Sequence, residues 1–190
     1  LTRLSLVPPM VDSLMTACAE GPASGDKAAV SPADMGDGPG RIRTVIIGGA
    51  PIATALAERA RQAGWPLRAS YGMTETSSHV ALSSSRLEDG LQPLPESHIE
   101  IADDTGGPLT SGGSGRILIS GPTVMLGYAN PALLPGEGLL APGKLLTRDL
   151  GEIDQHGALH VAGRSDDVLI SGGVNVQPAA LEDLLAGCPG

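Results

Sequence analysis

Aromatic residues are almost missing: 190 residues hold Trp65, Tyr71, Tyr128 and no phenylalanine. Any core must therefore be assembled from Val, Ile, Leu, Ala and Met. Cysteine is scarce too. Cys18 and Cys188 stand far apart and match neither a metal-ligand spacing nor a redox pair, so a reduced intracellular setting is expected. Basic residues are few, with 12 Lys+Arg against 21 Asp+Glu and a formal net charge of -9. That argues against a nucleic-acid partner, because phosphate contacts along a duplex need clustered cations. It leaves room for a single nucleotide, which needs only a few donors or a metal. No apolar run is long enough to cross a bilayer, and the opening LTRLSLVPPM has no cationic start before a long apolar stretch. A soluble cytoplasmic protein without stable membrane insertion is the expectation, and a homo-oligomer stays open.

Two catalytic classes lose their usual signatures. Histidines 79, 98, 156 and 160 show no HExxH or paired spacing, so zinc is not expected. Ser77 and Ser78 lack the GxSxG elbow of a serine nucleophile. What is plentiful is glycine, 27 residues, and proline, 16, which together predict many turns.

Along the chain, residues 4–18 predict a short strand, a turn at Pro8-Pro9 and an amphipathic helix. Residues 20–40 have little to bury and many breakers, and are expected to form a flexible insertion. RIRTVIIGGAP (41–51) reads as a buried strand ending in a glycine turn. IATALAERARQAG (52–64) reads as a helix with Leu56 and Ala60 on its apolar face, ended by Gly64. WPLRASYGMTE (65–75) reads as a short strand running into a turn. Strand, helix, strand with small-residue turns predicts an α/β fold. Beyond Leu82, HIEIAD (98–103), GRILISG (115–121) and GALHVAGR (157–164) read as antiparallel strands. DDVLISGG (166–173) predicts another strand, and VQPAALEDLLAG (176–187) a helix. The expected divisions are 1–82, 83–164 and 165–190, with GRSDD (163–167) as a hinge.

Several stretches can carry chemistry. Gly48 and Gly49 follow a strand and permit close approach of a flat ligand, yet a simple tight turn explains them equally well. In SYGMTETSS (70–78), Tyr71 can stack on a base, Thr74 can donate to a phosphate and Glu75 can hold Mg²⁺. A capping cluster with Tyr71 filling the core is the competing reading. In TRDLGEID (147–154), Asp149 can accept hydrogen bonds from two vicinal hydroxyls, whereas Glu152 and Asp154 suit a turn and a solvated face. Arg164 offers five fixed donors beside Asp166 and Asp167, although a surface salt bridge would look the same.

Taken in order, SYGMTETSS, TRDLGEID and GRSDDVLISGGVNVQP, with GGAP upstream, closely resemble the adenylate-forming acyl-CoA synthetase family. The resemblance runs from about Leu4 to Leu185. It implies part of a large adenylation domain over 1–82, a β-rich subdomain over 83–164 and the start of a small, mobile α+β C-terminal domain over 165–190. It implies an acid–thiol ligase that uses ATP, Mg²⁺ and coenzyme A to make an acyl-adenylate and then a thioester. Gly48, Gly49, Ala50 and Pro51 would line the adenine pocket, Tyr71 would stack on adenine, and Ser70 and Gly72 would add backbone contacts. Thr74 would touch the α-phosphate and Glu75 would bind Mg²⁺. Asp149 and Arg164 would hold the ribose. Asp166 would be the hinge, Gly172 and Gly173 the glycine loop beside the pantetheine tunnel, and His79 would fall where the acyl pocket begins. Arg148, the SGG of 171–173 and the QP of 177–178 resemble the o-succinylbenzoate–CoA ligases of menaquinone synthesis. Another acyl- or aryl-CoA ligase, or a non-catalytic nucleotide-binding fragment, are the alternatives. The family's phosphate loop and catalytic lysine have no counterpart among the 190 residues, since Lys27 and Lys144 lie elsewhere, so the segment by itself is expected to be inactive.

Overall fold

A computed structural model describes residues 3–20, 42–84, 87–109, 113–129, 138–171, 174–178, 181 and 184–185. Residues 21–40 of the expected insertion, Lys27 among them, lie outside the described residues, as do Gly172 and Gly173. Two compact units are present: Leu1–Ser70 with Ser83–Glu88, and Tyr71–Leu82 with Asp89–Gly190.

The first unit is the α/β part. Strands β1 (Arg3–Leu6), β2 (Thr44–Ile47) and β3 (Leu67–Met73) pair in parallel in that order. Helices α1 (Pro8–Glu20) and α2 (Thr54–Gln62) connect with them in sequence. Pro8 and Pro9 open α1 and do not form a separate turn. A proline at the first helical position loses nothing, because its missing N–H would have had no partner there. Val11 and Met15 of α1, four residues apart, are buried with Val45, Ile47, Trp65 and Leu67. From α2 the same core takes Leu56 and Ala60, the face the sequence predicts. Helix α2 stops where expected: Gly64, at φ 72°, donates its amide to the Arg61 carbonyl.

The second unit is antiparallel and β-rich. After β4 (Ser78–Ser83) come β5 (Leu91–Pro93), β6 (His98–Ala102), β7 (Gly115–Ser120), β8 (Leu139–Ala141), β9 (Lys144–Ile153) and β10 (Leu159–Arg164). Their order is β4-β5-β10-β9-β7-β6, with β8 also paired to β9. The two short strands β11 (Leu169–Ser171) and β12 (Val174–Val176) form a separate hairpin. Strand β7 explains its own sequence. Ile117, Leu118 and Ile119 are all buried, because β7 has protein on both faces. Ile117 and Ile119 join one core with Tyr71, Val80, Leu145 and Leu159, while Leu118 joins Ala102 and Leu146 on the other. Among the described residues, no helix is long and apolar enough to cross a membrane.

Ile117 is fully buried, whereas Leu126 is 99% exposed. Ile117→Ala is expected to lower the unfolding free energy by about 2–5 kcal/mol through lost burial and a residual cavity. Leu126→Ala is expected to stay within roughly 0.5 kcal/mol. Urea denaturation of both variants checks this pair of values.

Candidate active site

The turn that follows β3 is built by one buried hydroxyl. Residues Thr74–Thr76 form a single 3-10 turn, with Ser77 in the left-handed region at φ 63°. Thr76, 1% exposed, accepts the Met73 amide at 3.1 Å on its Oγ1 and donates to the Ser78 carbonyl at 2.8 Å. Gly72 lies inside β3 and not in the turn, so it is not there to bend the chain. Its place requires glycine for a different reason: a Cβ there would strike the Ser78 carbonyl and the His79 backbone across the hairpin. Thr74 is exposed and Glu75 partly buried on the outer side of this turn. His79 is exposed on β4, with its Nδ1 3.2 Å from Ser78 Oγ.

Tyr71, on the same strand as Gly72, is 9% exposed and belongs to the core. Its ring fills space, as the competing reading anticipated, and its hydroxyl also donates to Asp149 Oδ2 at 2.7 Å. Burial, and then the charge of Asp149, push the Tyr71 phenol far above its ordinary value. The phenol is therefore a permanent donor to a carboxylate.

Asp149 is aimed by two irregularities in the sheet. Arg116 pairs with Leu150 and Leu118 with Leu146, so residues 147–149 of β9 oppose Ile117 alone. Several backbone groups around this irregularity are met by side chains. The Arg116 Nε donates to the Thr147 carbonyl at 2.8 Å, and the Thr147 hydroxyl donates to the Ile117 carbonyl at 2.8 Å. The Asp149 amide donates back to Thr147 Oγ1 at 3.1 Å, and the Ser165 amide and hydroxyl both donate to the Arg148 carbonyl, at 2.7 and 2.9 Å. On the other side, Val161 pairs with Gly151 but Gly163 with Leu150, which leaves Ala162 as a bulge. Without that extra residue Gly163 would face Asp149; with it, Arg164 does. Cross-strand partners project to one face of a sheet.

Arg164 nevertheless leans the other way. Its Nε and Nη2 form a two-pronged bond with Asp166, at 2.9 and 2.8 Å, whereas Nη1 stays 3.9 Å from Asp149 Oδ1. Arg148 Nη1 adds a 3.3 Å bond to the same Asp166 carboxylate. The Arg164 hydrogen bonds hold the Asp166 carboxyl at about 2, and Arg148 contributes in the same direction. Asp154, by contrast, is structural. It caps the turn to Ala158 through the His156 and Ala158 amides and contacts His160 Nε2 at 3.1 Å. Glu152 is exposed.

In the first unit, Gly48 and Gly49 form a turn after β2. Gly49 has φ 82°, and a Cβ on Gly48 would meet the Ser70 hydroxyl, which donates to the Ile47 carbonyl at 3.0 Å. Ala50 and Pro51 follow, both exposed. Both glycines are thus explained by local geometry.

With these positions fixed, comparison with known proteins is direct. The family described as AMP-binding enzyme matches residues 1–129. The chain belongs to this family. This AMP-binding family member is 37% identical over 156 residues to the 2-succinylbenzoate–CoA ligase of Bacillus subtilis (strain 168), covering 80% of this chain and 32% of that protein. It therefore spans about a third of the length of the curated relatives it matches. Its fold superposes on the o-succinylbenzoate CoA synthetase of Bacillus subtilis in complex with the acyl-adenylate intermediate OSB-AMP. That match has a TM-score of 0.77 and 32% identity, and covers 100% of this chain and 36% of the other. The same synthetase in complex with ATP and magnesium ion gives a TM-score of 0.75 at 32% identity, covering 98% and 36%.

The donor set also fits a magnesium nucleotide. Among the described residues no group of three or more His, Cys, Asp or Glu can cage a metal. Magnesium is ordinarily held by one or two carboxylates plus substrate phosphates, so a single carboxylate such as Glu75 is adequate. Two residues that matter locally, Thr76 and Tyr128, escaped sequence reading. Tyr128 donates to Glu75 Oε1 at 2.7 Å. Thr76 carried one signal, its place inside a dense polar turn; Tyr128 carried none beyond being an aromatic residue in a chain with few.

The Asp166 carboxyl should titrate near 2, well below the ordinary carboxylate value of 3.8. A depressed carboxyl contributes stability above its unfolded pKa and loses it as pH falls through the folded one. The Arg164–Asp166 clamp should therefore hold at neutral pH and dissolve only toward pH 2. Carboxyl ¹³C NMR through an acid titration reads the midpoint. Arg164→Gln should move that midpoint up toward the ordinary value.

Proposed function

We propose that this chain carries part of the adenylating centre of an ATP-dependent acid–thiol ligase. Such an enzyme joins a carboxylic acid to coenzyme A through an acyl-adenylate, and the acid proposed here is o-succinylbenzoate. The single observation that carries this reading is the 2.7 Å bond between Tyr71 and Asp149, 78 residues apart. It brings the tyrosine of SYGMTE and the aspartate of TRDLG together, as a shared ligand would require. The choice of acid rests on the names of the matched relatives. An aryl- or acyl-CoA ligase of other specificity would use the same nucleotide groups.

In this reading the acid's carboxylate oxygen attacks the ATP α-phosphorus, the bond to pyrophosphate breaks, and the thiol later displaces AMP from the acyl carbon. The residues of this chain bind and orient. Asp149, an acceptor only, takes the ribose hydroxyls; Tyr71 occupies one of its oxygens and restricts the carboxylate's rotation. Arg164 sits opposite Asp149 and, once released from Asp166, would reach the same sugar. Thr74 and Glu75 present a hydroxyl and a carboxylate from one turn, toward the α-phosphate and Mg²⁺ respectively. Bound magnesium supplies positive charge against the phosphoryl oxygens. The clamp of Arg148 and Arg164 on Asp166 fixes the segment after β10, and its rupture would free that segment to act as the hinge between half-reactions. The segment from 165 onward would then begin the mobile C-terminal domain.

Two substitutions in the full-length protein test the assignment. Glu75→Gln is expected to lower ATP–pyrophosphate exchange by roughly 10²–10³-fold, the scale of losing one electrostatic stabiliser, with unchanged circular dichroism. Asp149→Ala is expected to weaken ATP binding by about tenfold or more and to leave coenzyme A binding within twofold, read by calorimetry. Near-normal exchange in the first variant, or the reverse order of losses in the second, contradicts the reading.

A further inference from the structure

Tyr128 lies outside every motif that gave the site its reading. It belongs to the loop 121–129 that follows β7. This loop and the turn carrying Glu75 are tied at three points. The Met125 amide donates to the Glu75 carbonyl at 2.8 Å, the Ser77 hydroxyl donates to the Thr123 carbonyl at 3.0 Å, and the Tyr128 hydroxyl donates to Glu75 Oε1 at 2.7 Å. Val124, 6% exposed, anchors the loop in the core that also holds Tyr71. The first two ties, one between backbones and one from the Ser77 side chain to backbone, fix where the main chain of this turn sits. Only the tyrosine tie acts on the Glu75 carboxylate, and among the described residues it is the hydrogen bond that carboxylate makes.

We propose that Tyr128 is a positioning residue for Glu75: its hydroxyl engages Oε1 and fixes the carboxylate so that Oε2 is presented to a divalent cation. The inference rests on the reading of Glu75 as the carboxylate that meets the metal nucleotide. A glutamate has three rotatable side-chain bonds, and ordering them costs free energy whenever a cation binds. A charge-assisted O–H···O⁻ bond already in place removes part of that cost. It also leaves one oxygen for the metal, the ligand count that magnesium takes from protein at a phosphate site.

Tyr128→Phe removes the hydroxyl and keeps the ring, and the Met125–Glu75 and Ser77–Thr123 bonds do not involve that hydroxyl. The measurement is Mn²⁺ binding followed by electron paramagnetic resonance, on the full-length protein with a non-hydrolysable ATP analogue. Wild type, Tyr128→Phe, Glu75→Gln and the double variant are compared, each with a thermal melt. Tyr128→Phe is expected to weaken Mn²⁺ binding by roughly tenfold, the scale of one hydrogen bond to a charged group, with an unchanged melt. Adding it to Glu75→Gln should cost nothing further. Wild-type Mn²⁺ affinity in Tyr128→Phe, with or without a lowered melt, overturns the proposal; if Glu75→Gln still loses the ion, the reading of Glu75 stands. A further loss in the double variant overturns it as well, because Tyr128 would then act by another route. If no variant changes Mn²⁺ binding, both the proposal and the reading of Glu75 fall.

Discussion

The hydrogen bond from Tyr71 to Asp149 is the constraint around which the second unit is arranged. It links the end of β3 to the middle of β9, and its phenol is held protonated by burial and by the carboxylate it serves. A carboxylate whose side chain is 14% exposed is costly unless donors meet it. The buried hydroxyl supplies one donor, and Arg164 stands close with further ones. The sheet is distorted on both sides of Asp149 to make that possible. Three residues of β9 oppose one of β7, and Ala162 bulges from β10. The irregular stretch of β9 releases backbone groups from its ladder with β7, and Arg116 and Thr147 take up some of them. Bulges that re-aim a side chain are a recurrent feature of functional sites.

Charge is distributed so that a cationic side chain has two claimants. Arg164 is bonded to Asp166 in a fork while Asp149 waits at 3.9 Å. An exposed fork of this kind adds little to stability. Its consequence is positional: the residue proposed as the hinge and the residue proposed for the sugar share one guanidinium. Arg148, next to Asp149 in sequence, also reaches Asp166. A movement of the segment after β10 would therefore change which carboxylate Arg164 serves. This gives a physical link between the proposed nucleotide site and the proposed hinge, carried by side chains separated by a few ångströms.

Local pattern made some of this legible in the sequence. Leu56 and Ala60 lie four apart on α2 and share a core, and Gly64 ends the helix, because both depend only on neighbours in sequence. The apolar runs of β2 and β7 announced buried strands for the same reason. Residue types at Tyr71, Glu75, Asp149 and Arg164 left a nucleotide site open beside plainer readings, and the motif order pointed to the family. Other features were illegible because they arise from long-range pairing. The helical start at Pro8 was hidden by a dipeptide that serves turns and first turns alike. TRDLGEID carried no strand expectation, yet residues 147–153 lie in the longest described strand, since its irregular pairing with β7 breaks the alternation. The short β12 was hidden because its last residue, Val176, is also where the helix signal of 176–187 begins. Tyr128 contacts a residue 53 positions away, and nothing local marks it.

If Asp149 holds the vicinal hydroxyls of a ribose, discrimination between sugars must pass through that side chain. The decisive measurement is competition between ATP and 2′,3′-dideoxy-ATP for the full-length protein, made with wild type and with Asp149→Ala. Wild type should prefer ATP by about tenfold or more, the scale of hydrogen bonds to a charged acceptor, and Asp149→Ala should lose that preference. An equal preference for ATP in the variant would place the sugar elsewhere and contradict the nucleotide site described for Tyr71 and Asp149.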